Sequence, residues 1–564
     1  MRNVAAILFL ALLACAPAQP PANMHPMLEP GTLFIGATVL TGPDQTPQQR
    51  YAVYVRDGVI REIGPMSDMQ RAHPRVNVIA LMDATILPGL TDAHGHLYGL
   101  GLSLDVVSLV DTKSYEEVVA RVKDRASRAS AGEWIVGRGW DQNDWPVKEF
   151  PTKEALDAAV PDHPVFLRRV DGHAALVNTA ALRAAGVTAA TKDPEGGRVL
   201  RDASGEPTGV FVDAAMDLVE ESMPAPTAAQ RKARVLAAAQ AIAANGLTEM
   251  HDAGIDGATI AAVRELIDEK RFPIRVYAML GDNDMLLNTW FSQGPLMNYG
   301  GAPGGAGGRL TVRSVKLYAD GALGSRGAAL LAPYSDDPGN SGLMLARPEH
   351  LEDVAKRARA KGFQVNTHAI GDRGVRNVID AYSNAGVTAN DRFRIEHLQV
   401  ISPSDVPRLI SHGIIGSMQP THATSDMPWA ERRLGSERVK GAYAWRTVLN
   451  AGGRLALGSD FPVEDVNPFF GIYSAVTRQD HEGNPPGGWY PDQRLTLAEA
   501  IRGFTKDAAY AAFEEDSRGT IEVGKLADFT IVEGDLLAMP PAQLWKTKVR
   551  YTIVGGEVAY NALK

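Results

Sequence analysis

One cysteine, Cys15, is all the chain offers among 564 residues, so no disulfide can form within it. Stability must come from packed cores or bound metals. Long apolar runs are scarce too: beyond the N-terminus no stretch approaches the ~20 uninterrupted apolar residues of a spanning helix. Basic residues are outnumbered, 57 Lys and Arg against 66 Asp and Glu, for a formal net charge of −9. That balance lacks the basic face nucleic acid requires, and nucleic acid is excluded as the main partner. What remains is a globular composition, 45% apolar and 22% charged, with no low-complexity tract. At this length two or more domains are expected.

The N-terminus stands apart. "MRNVAAILFLALLACAPAQPP" carries one basic residue, an apolar run from Val4 to Ala14, then small residues and prolines. A run of ~11 residues suits a signal-peptide core and is too short to span a bilayer. Leu12-Leu13-Ala14-Cys15 resembles a bacterial lipoprotein box, in which Cys15 would be lipidated; cleavage after Ala16-Pro17-Ala18 is the competing reading. Either route exports the protein, to the periplasm or to a lipid anchor in the cell envelope. Residues 1–25 are therefore set aside as a signal or anchor, and membrane contact is expected only through that anchor.

Two distant segments share β character. Residues 26–87 contain "TLFIGATVLTG" and "YAVYVRDGVIREIG", the latter a hairpin candidate turning at Asp57-Gly58. Residues 510–564 contain "GKLADFTIVEG" and "VRYTIVGGEVAY". Together they suggest a composite β-sandwich built from both chain ends. Between them, over 88–509, eight apolar β-like runs alternate with helical patterns: "ATILPGLTDAHGH", "NGLTEMHDAG", "FPIRVYAML", "LTVRSVKLYADG", "GFQVNTHAIGD", "FRIEHLQVI", "GIIGSMQP" and "RLALGSDFPV". This is the pattern of a (β/α)8 TIM barrel, whose catalytic groups sit at the C-terminal strand ends. The interval from His96 to His251 is 155 residues, too long for one unit. A large insertion after the first barrel strand, about 98–225, is expected to emerge on the catalytic face.

The chemistry gathers at those strand ends. His94-Gly95-His96 closes the first run, and the two rings are expected to reach one ion where Gly95 lets the backbone turn. Lys316 lies near the end of the fourth run, His368 closes the fifth, His397 the sixth and Asp460 the eighth. Each alone reads as an ordinary barrel-mouth residue. Four histidines and an aspartate on one rim read as a site for zinc or a related divalent ion. Lys316 is the odd member, because a lysine among Val315, Leu317 and Tyr318 needs compensation for its charge.

With "PGLTDAHGH", "GRGWDQNDWP", "DGHAALVNTAAL", "VKLYADGALGSR", "VNTHAIGDRG", "RIEHLQ", "LGSDFPV" and "GKLADFTIVEGD" in place, the sequence resembles the metal-dependent amidohydrolase superfamily. Within it the resemblance is to the YtcJ-like branch, amidohydrolase family 3, which includes N-substituted formamide deformylases. It implies hydrolysis of C–N bonds in small amides, N-acyl or N-formyl compounds by a metal-activated hydroxide. It also implies that Lys316 reacts with carbon dioxide to a carbamate that bridges two ions, with zinc the metal these ligand types suit and other divalent ions an alternative. By carry-over His94 and His96 resemble ligands of the first metal, completed by Asp460 and the Lys316 carbamate; His368 and His397 resemble ligands of the second. Asp460 is implied as the proton carrier.

Further residues are read more loosely. His173 in the insertion is placed to polarise substrate over the metals, or is structural. Asp320 and Arg326 follow Lys316 on its loop; Arg326 suits a substrate carboxylate or loop ordering. Trp140, Trp145 and Trp429 suit an apolar substrate pocket or a core. His251 is left as a supporting or structural residue. Two other functions stay open: a deaminase or cyclic-amide hydrolase with one metal and unmodified Lys316, and a non-catalytic binding lipoprotein. Homo-oligomer formation is also left open by the sequence.

Overall fold

A computed structural model describes residues 29–142, 145–169, 174–194, 197–301, 307–324 and 326–563. Cys15 and His173 lie outside them. Among the described residues no helix is long and apolar enough to cross a membrane.

The eight expected runs form eight parallel strands in sequence order around a barrel. They are Leu90–Gly95, Leu247–Ile255, Arg275–Leu280, Leu310–Tyr318, Gln364–Ala369, Arg394–His397, Ile415–Met418 and Leu455–Leu457. Helices between them bury apolar faces against the outside of the strands. The helix Ala228–Ala244 begins with a capping box, Thr227 and Gln230 each accepting the other's backbone N–H. The first and eighth strands are closed by backbone bonds beyond the regular ladder. Asp460 N–H donates to the His94 carbonyl at 2.7 Å, and His96 N–H donates to the Phe461 carbonyl at 2.9 Å. Asp92 reinforces this seam, accepting from Ser459 N–H at 3.1 Å and from its hydroxyl at 2.7 Å.

The chain ends meet in one eight-stranded sheet, where Ala84–Pro88 pairs with Phe529–Glu533. Its predicted hairpin is present: Thr46–Arg56 pairs antiparallel with Val59–Pro65. Asp57 and Gly58 turn it at φ +55° and +74°, the primed-turn geometry that matches strand twist. The insertion carries its own six-stranded sheet, running from Val107–Ser108 to Pro207–Asp213. Apolar clusters lie within it.

A buried ion pair ties the terminal sheet to the floor of the barrel. Arg275 Nε and Nη2 donate to Asp528 at 2.8 and 2.9 Å, and Gly555 N–H donates to the same carboxylate. Removing one partner strands a buried charge, which costs roughly 3–5 kcal/mol. Asp528→Ala is thus expected to lose about that much stability in chemical denaturation, whereas the double replacement Arg275→Met with Asp528→Leu recovers most of it.

Candidate metal centre

A barrel interior is ordinarily filled with branched apolar side chains. Here inward positions, two apart along four of the eight strands, are polar: Asp92 and His94, Ser314 and Lys316, Asn366 and His368, Arg394 and Glu396. All but His368 are buried, and the His368 side chain is only 13% exposed. Such an interior is costly unless its groups are paired or hold an ion.

The strand alternation also corrects the reading of His94-Gly95-His96. Residues two apart share a face of a strand, so no turn is needed to bring both rings together. Gly95 serves another purpose: a Cβ there would lie 2.6 to 2.9 Å from the Phe461 ring, which packs across the seam. Close approach, not chain reversal, requires the glycine.

At the mouth, His94, His397 and Asp460 each offer one ligand atom, all within 4.8 Å of one another. His96 Nε2 lies 3.0 Å from Asp460 Oδ1, and His94 Nε2 lies 3.5 Å from the same oxygen. Lys316 Nζ is 3.3 Å from His94 Nε2. The His368 and His397 ring centroids are 4.5 Å apart. His368 Nε2 is buried with no hydrogen-bond partner, its nearest carboxylate oxygen, Asp320 Oδ1, standing 3.7 Å away. The structure therefore brings together all six residues expected to hold metal. His397 and Asp460 also sit at φ +71° and +65°, a strained conformation for residues with a side chain.

Electrostatics prepares these groups as ligands. Burial, then the Lys316 charge, pushes His94 down to about 4 and His368 down to about 3. Burial also holds His397 well below the usual imidazole range. All three imidazoles are neutral at pH 7, the form that binds metal. Burial brings the Lys316 amine down to about 8. Burial alone would raise Asp460, but hydrogen bonds from His422 and His96 outweigh it and hold the carboxyl well below its ordinary range. A carboxylate, neutral imidazoles and an orphaned imidazole nitrogen make a donor set that fits a divalent cation.

Behind the centre stands a network that the sequence reading missed. Glu396 Oε2 accepts from His94 Nδ1, which leaves Nε2 to face the cluster. Arg394 grips Glu396 at 2.7 and 3.0 Å and also contacts His251 Nδ1 at 2.9 Å. Burial opposes ionisation of Glu396, yet the Arg394 guanidinium and His94 keep it well below the usual carboxylate range. The available signal was the pair Arg394 and Glu396, two charges facing inward in the short strand "RIEH". Glu396→Gln is expected to weaken metal binding about 10- to 100-fold, read by chelator competition. His422 was missed as well; its Nε2 is 3.4 Å from Asp460 Oδ2 and its Nδ1 3.0 Å from Glu464 Oε1.

The residues expected to touch substrate have structural partners of their own. Asp320 is buried and accepts from the N–H groups of Ala329, Ile370 and Gly371, so it clamps the loop after strand four. Arg326 is engaged with Asp336 at 3.1 Å through both Nε and Nη2, and Arg433 joins the same carboxylate. Trp140 is 0% exposed and donates to the Leu167 carbonyl inside the insertion's own core, with Trp145 stacked nearby. Those contacts give Trp140 a packing role. Trp429 is half-buried, and a Cβ on Gly324 would meet its ring at 3.3 Å.

A family model described as "Amidohydrolase family" matches residues 77–560. The chain belongs to the amidohydrolase family. YtcJ of Bacillus subtilis, named as an amidohydrolase, is 34% identical over 93% of this chain and 98% of that protein. The N-substituted formamide deformylase of Arthrobacter pascens is 26% identical, covering 94% and 98%. Among solved structures, an uncharacterized metal-dependent hydrolase from Pyrococcus furiosus aligns with TM-score 0.75 and 28% identity, covering 90% of this chain and 99% of that one. Family membership and the donor cluster together make this amidohydrolase a metal-dependent hydrolase.

Proposed function

We propose that the protein hydrolyses the C–N bond of small amides, with N-formyl and N-acyl compounds as the substrate class. The observation that carries this is the convergence of His94, His397 and Asp460 within 4.8 Å at the barrel mouth, with Lys316 buried beside them. Similarity to the Arthrobacter pascens deformylase supports the formamide end of that class.

His94, His96 and Asp460 would hold one zinc ion and His368 and His397 a second, with Lys316 shared between them as its carbamate. When bound, the ions supply a Lewis acid for the carbonyl and acidify the attacking water. The chain's own residues do the rest. Asp460 accepts the proton of the attacking water and delivers it to the leaving nitrogen. Glu396 holds the His94 ring in place. Carbamate formation joins the neutral Lys316 nitrogen to the carbon of carbon dioxide and releases one proton. An anion then replaces a buried cation, which removes the cost of burying the ammonium.

The alternative is a single-ion deaminase or cyclic-amide hydrolase, which would keep Lys316 unmodified and use His94, His96, His368 and Asp460. Among the described residues the tight donor cluster includes His397, which that ligand set leaves out and the two-ion reading uses. Metal analysis with a screen of N-formyl, N-acyl-amino-acid and cyclic amides on zinc-loaded protein separates these readings. A protein free of metal and inert on every amide would overturn both. We also propose export and lipid attachment at Cys15, supported by the sequence of residues 1–25. Mass spectrometry of the mature N-terminus tests it, and an unmodified cysteine or cleavage past Ala18 sinks the anchor.

A further inference from the structure

The seventh barrel strand, Ile415–Met418, brings no metal ligand under the reading above, yet the segment after it touches two of them. Gln419 is oriented by its own Nε2, which donates to the Ser417 carbonyl at 3.3 Å. Its Oε1 therefore faces His397 Nδ1 at 2.8 Å, and His397 turns its other nitrogen to the cluster. One helical turn later comes His422, whose ring lies between two carboxylates. Its Nδ1 meets Glu464 Oε1 at 3.0 Å and its Nε2 meets Asp460 Oδ2 at 3.4 Å. Ser425 Oγ donates to the same Glu464 oxygen at 2.6 Å, fixing that end of the chain. The His422 ring is also stacked on His397, with centroids 5.9 Å apart and planes 20° from parallel.

Asp460 is thus held at both oxygens. Oδ1 faces His96 and His94, and Oδ2 faces His422. We infer that His422, anchored by Glu464, is a positioning residue that fixes the carboxylate plane of Asp460 and presents Oδ1 to the metal. The inference rests on the reading of Asp460 and His397 as ligands. Its geometry differs from that of the ligands His94 and His96, because His422 faces Asp460 Oδ2 while they share Oδ1. It differs from simple packing, because glutamine at 422 can reproduce the Nε2 contact while alanine cannot.

The experiment uses metal alone on the full-length protein. Wild type, His422→Ala, His422→Gln, Glu464→Gln and Asp460→Ala are loaded with Co²⁺. Their visible absorption and their affinity in chelator competition are then compared. Loss of an outer partner of a ligand typically costs 10- to 100-fold in affinity. His422→Ala is expected to bind Co²⁺ about 10- to 100-fold more weakly with an altered spectrum. His422→Gln should return to within about threefold of wild type, and Glu464→Gln should shift the spectrum in the same direction as alanine. Wild-type affinity and spectrum in His422→Ala would overturn the inference. So would complete loss of one ion in both 422 variants, which would make His422 a ligand. If His422→Ala fails to fold, Glu464→Gln decides alone, and an unchanged spectrum there overturns the proposal. Wild type binding no Co²⁺, or Asp460→Ala binding it normally, would instead bring down the ligand reading itself.

Discussion

Asp460→Asn is expected to fold normally and to lose about 10²- to 10⁴-fold in kcat, the range a positioned proton-transfer group contributes. Asparagine is the informative replacement. It tolerates the left-handed backbone better than most residues, and position 460 sits at φ +65°. It also keeps the shape that fits between His96 and His422. What it lacks is the negative charge that three imidazoles face: His96 at 3.0 Å, His422 at 3.4 Å and His94 at 3.5 Å. Asp460→Ala should lose metal along with activity. Metal content, circular dichroism and turnover of a responsive amide check all three statements. A near-wild-type rate in Asp460→Asn would remove the proton-carrying role.

Lys316→Ala is expected to lose one of two ions and most activity, at least about a hundredfold by analogy with other groups that act directly on the transition state. Acetate or formate should restore part of it by supplying a carboxylate in the vacated space. Lys316→Met separates chemistry from volume, since it fills the cavity but cannot form a carbamate. The pH dependence has a definite sign. Only the neutral amine reacts with carbon dioxide, and burial brings this amine down to about 8. With dissolved carbon dioxide held equal at the two pH values, metal-free protein should therefore reconstitute faster at pH 9 than at pH 6.5 when zinc is added. Full activity with two ions in Lys316→Met would show that Lys316 is only a neighbour of the centre.

The barrel was legible because apolar β-like runs alternate with helical patterns, and several of the runs close on a single polar residue. His368, His397 and Asp460 stand at such closures. Lys316 stood out by its apolar neighbours. The supporting residues were not legible for physical reasons. Glu396 acts through His94, which is 302 positions away, and no local pattern predicts that pairing. His422 sits on a seven-residue helix in a polar stretch, where a lone histidine carries little information. Arg326 and Trp140 show the opposite limit. Their residue types suit substrate, but an acidic partner ten positions on and an apolar core within the insertion claim them instead.

The seam of the barrel has a topological consequence. His96 and Asp460, 364 positions apart, meet where the first and last strands close. A cation gripped by both would cross-link the chain across one very long loop, and loop closure constrains the unfolded ensemble more as the loop lengthens. This chain has no disulfide to do so. The ion would be its reversible staple, and by mass action its free concentration would set how firmly the barrel stays shut.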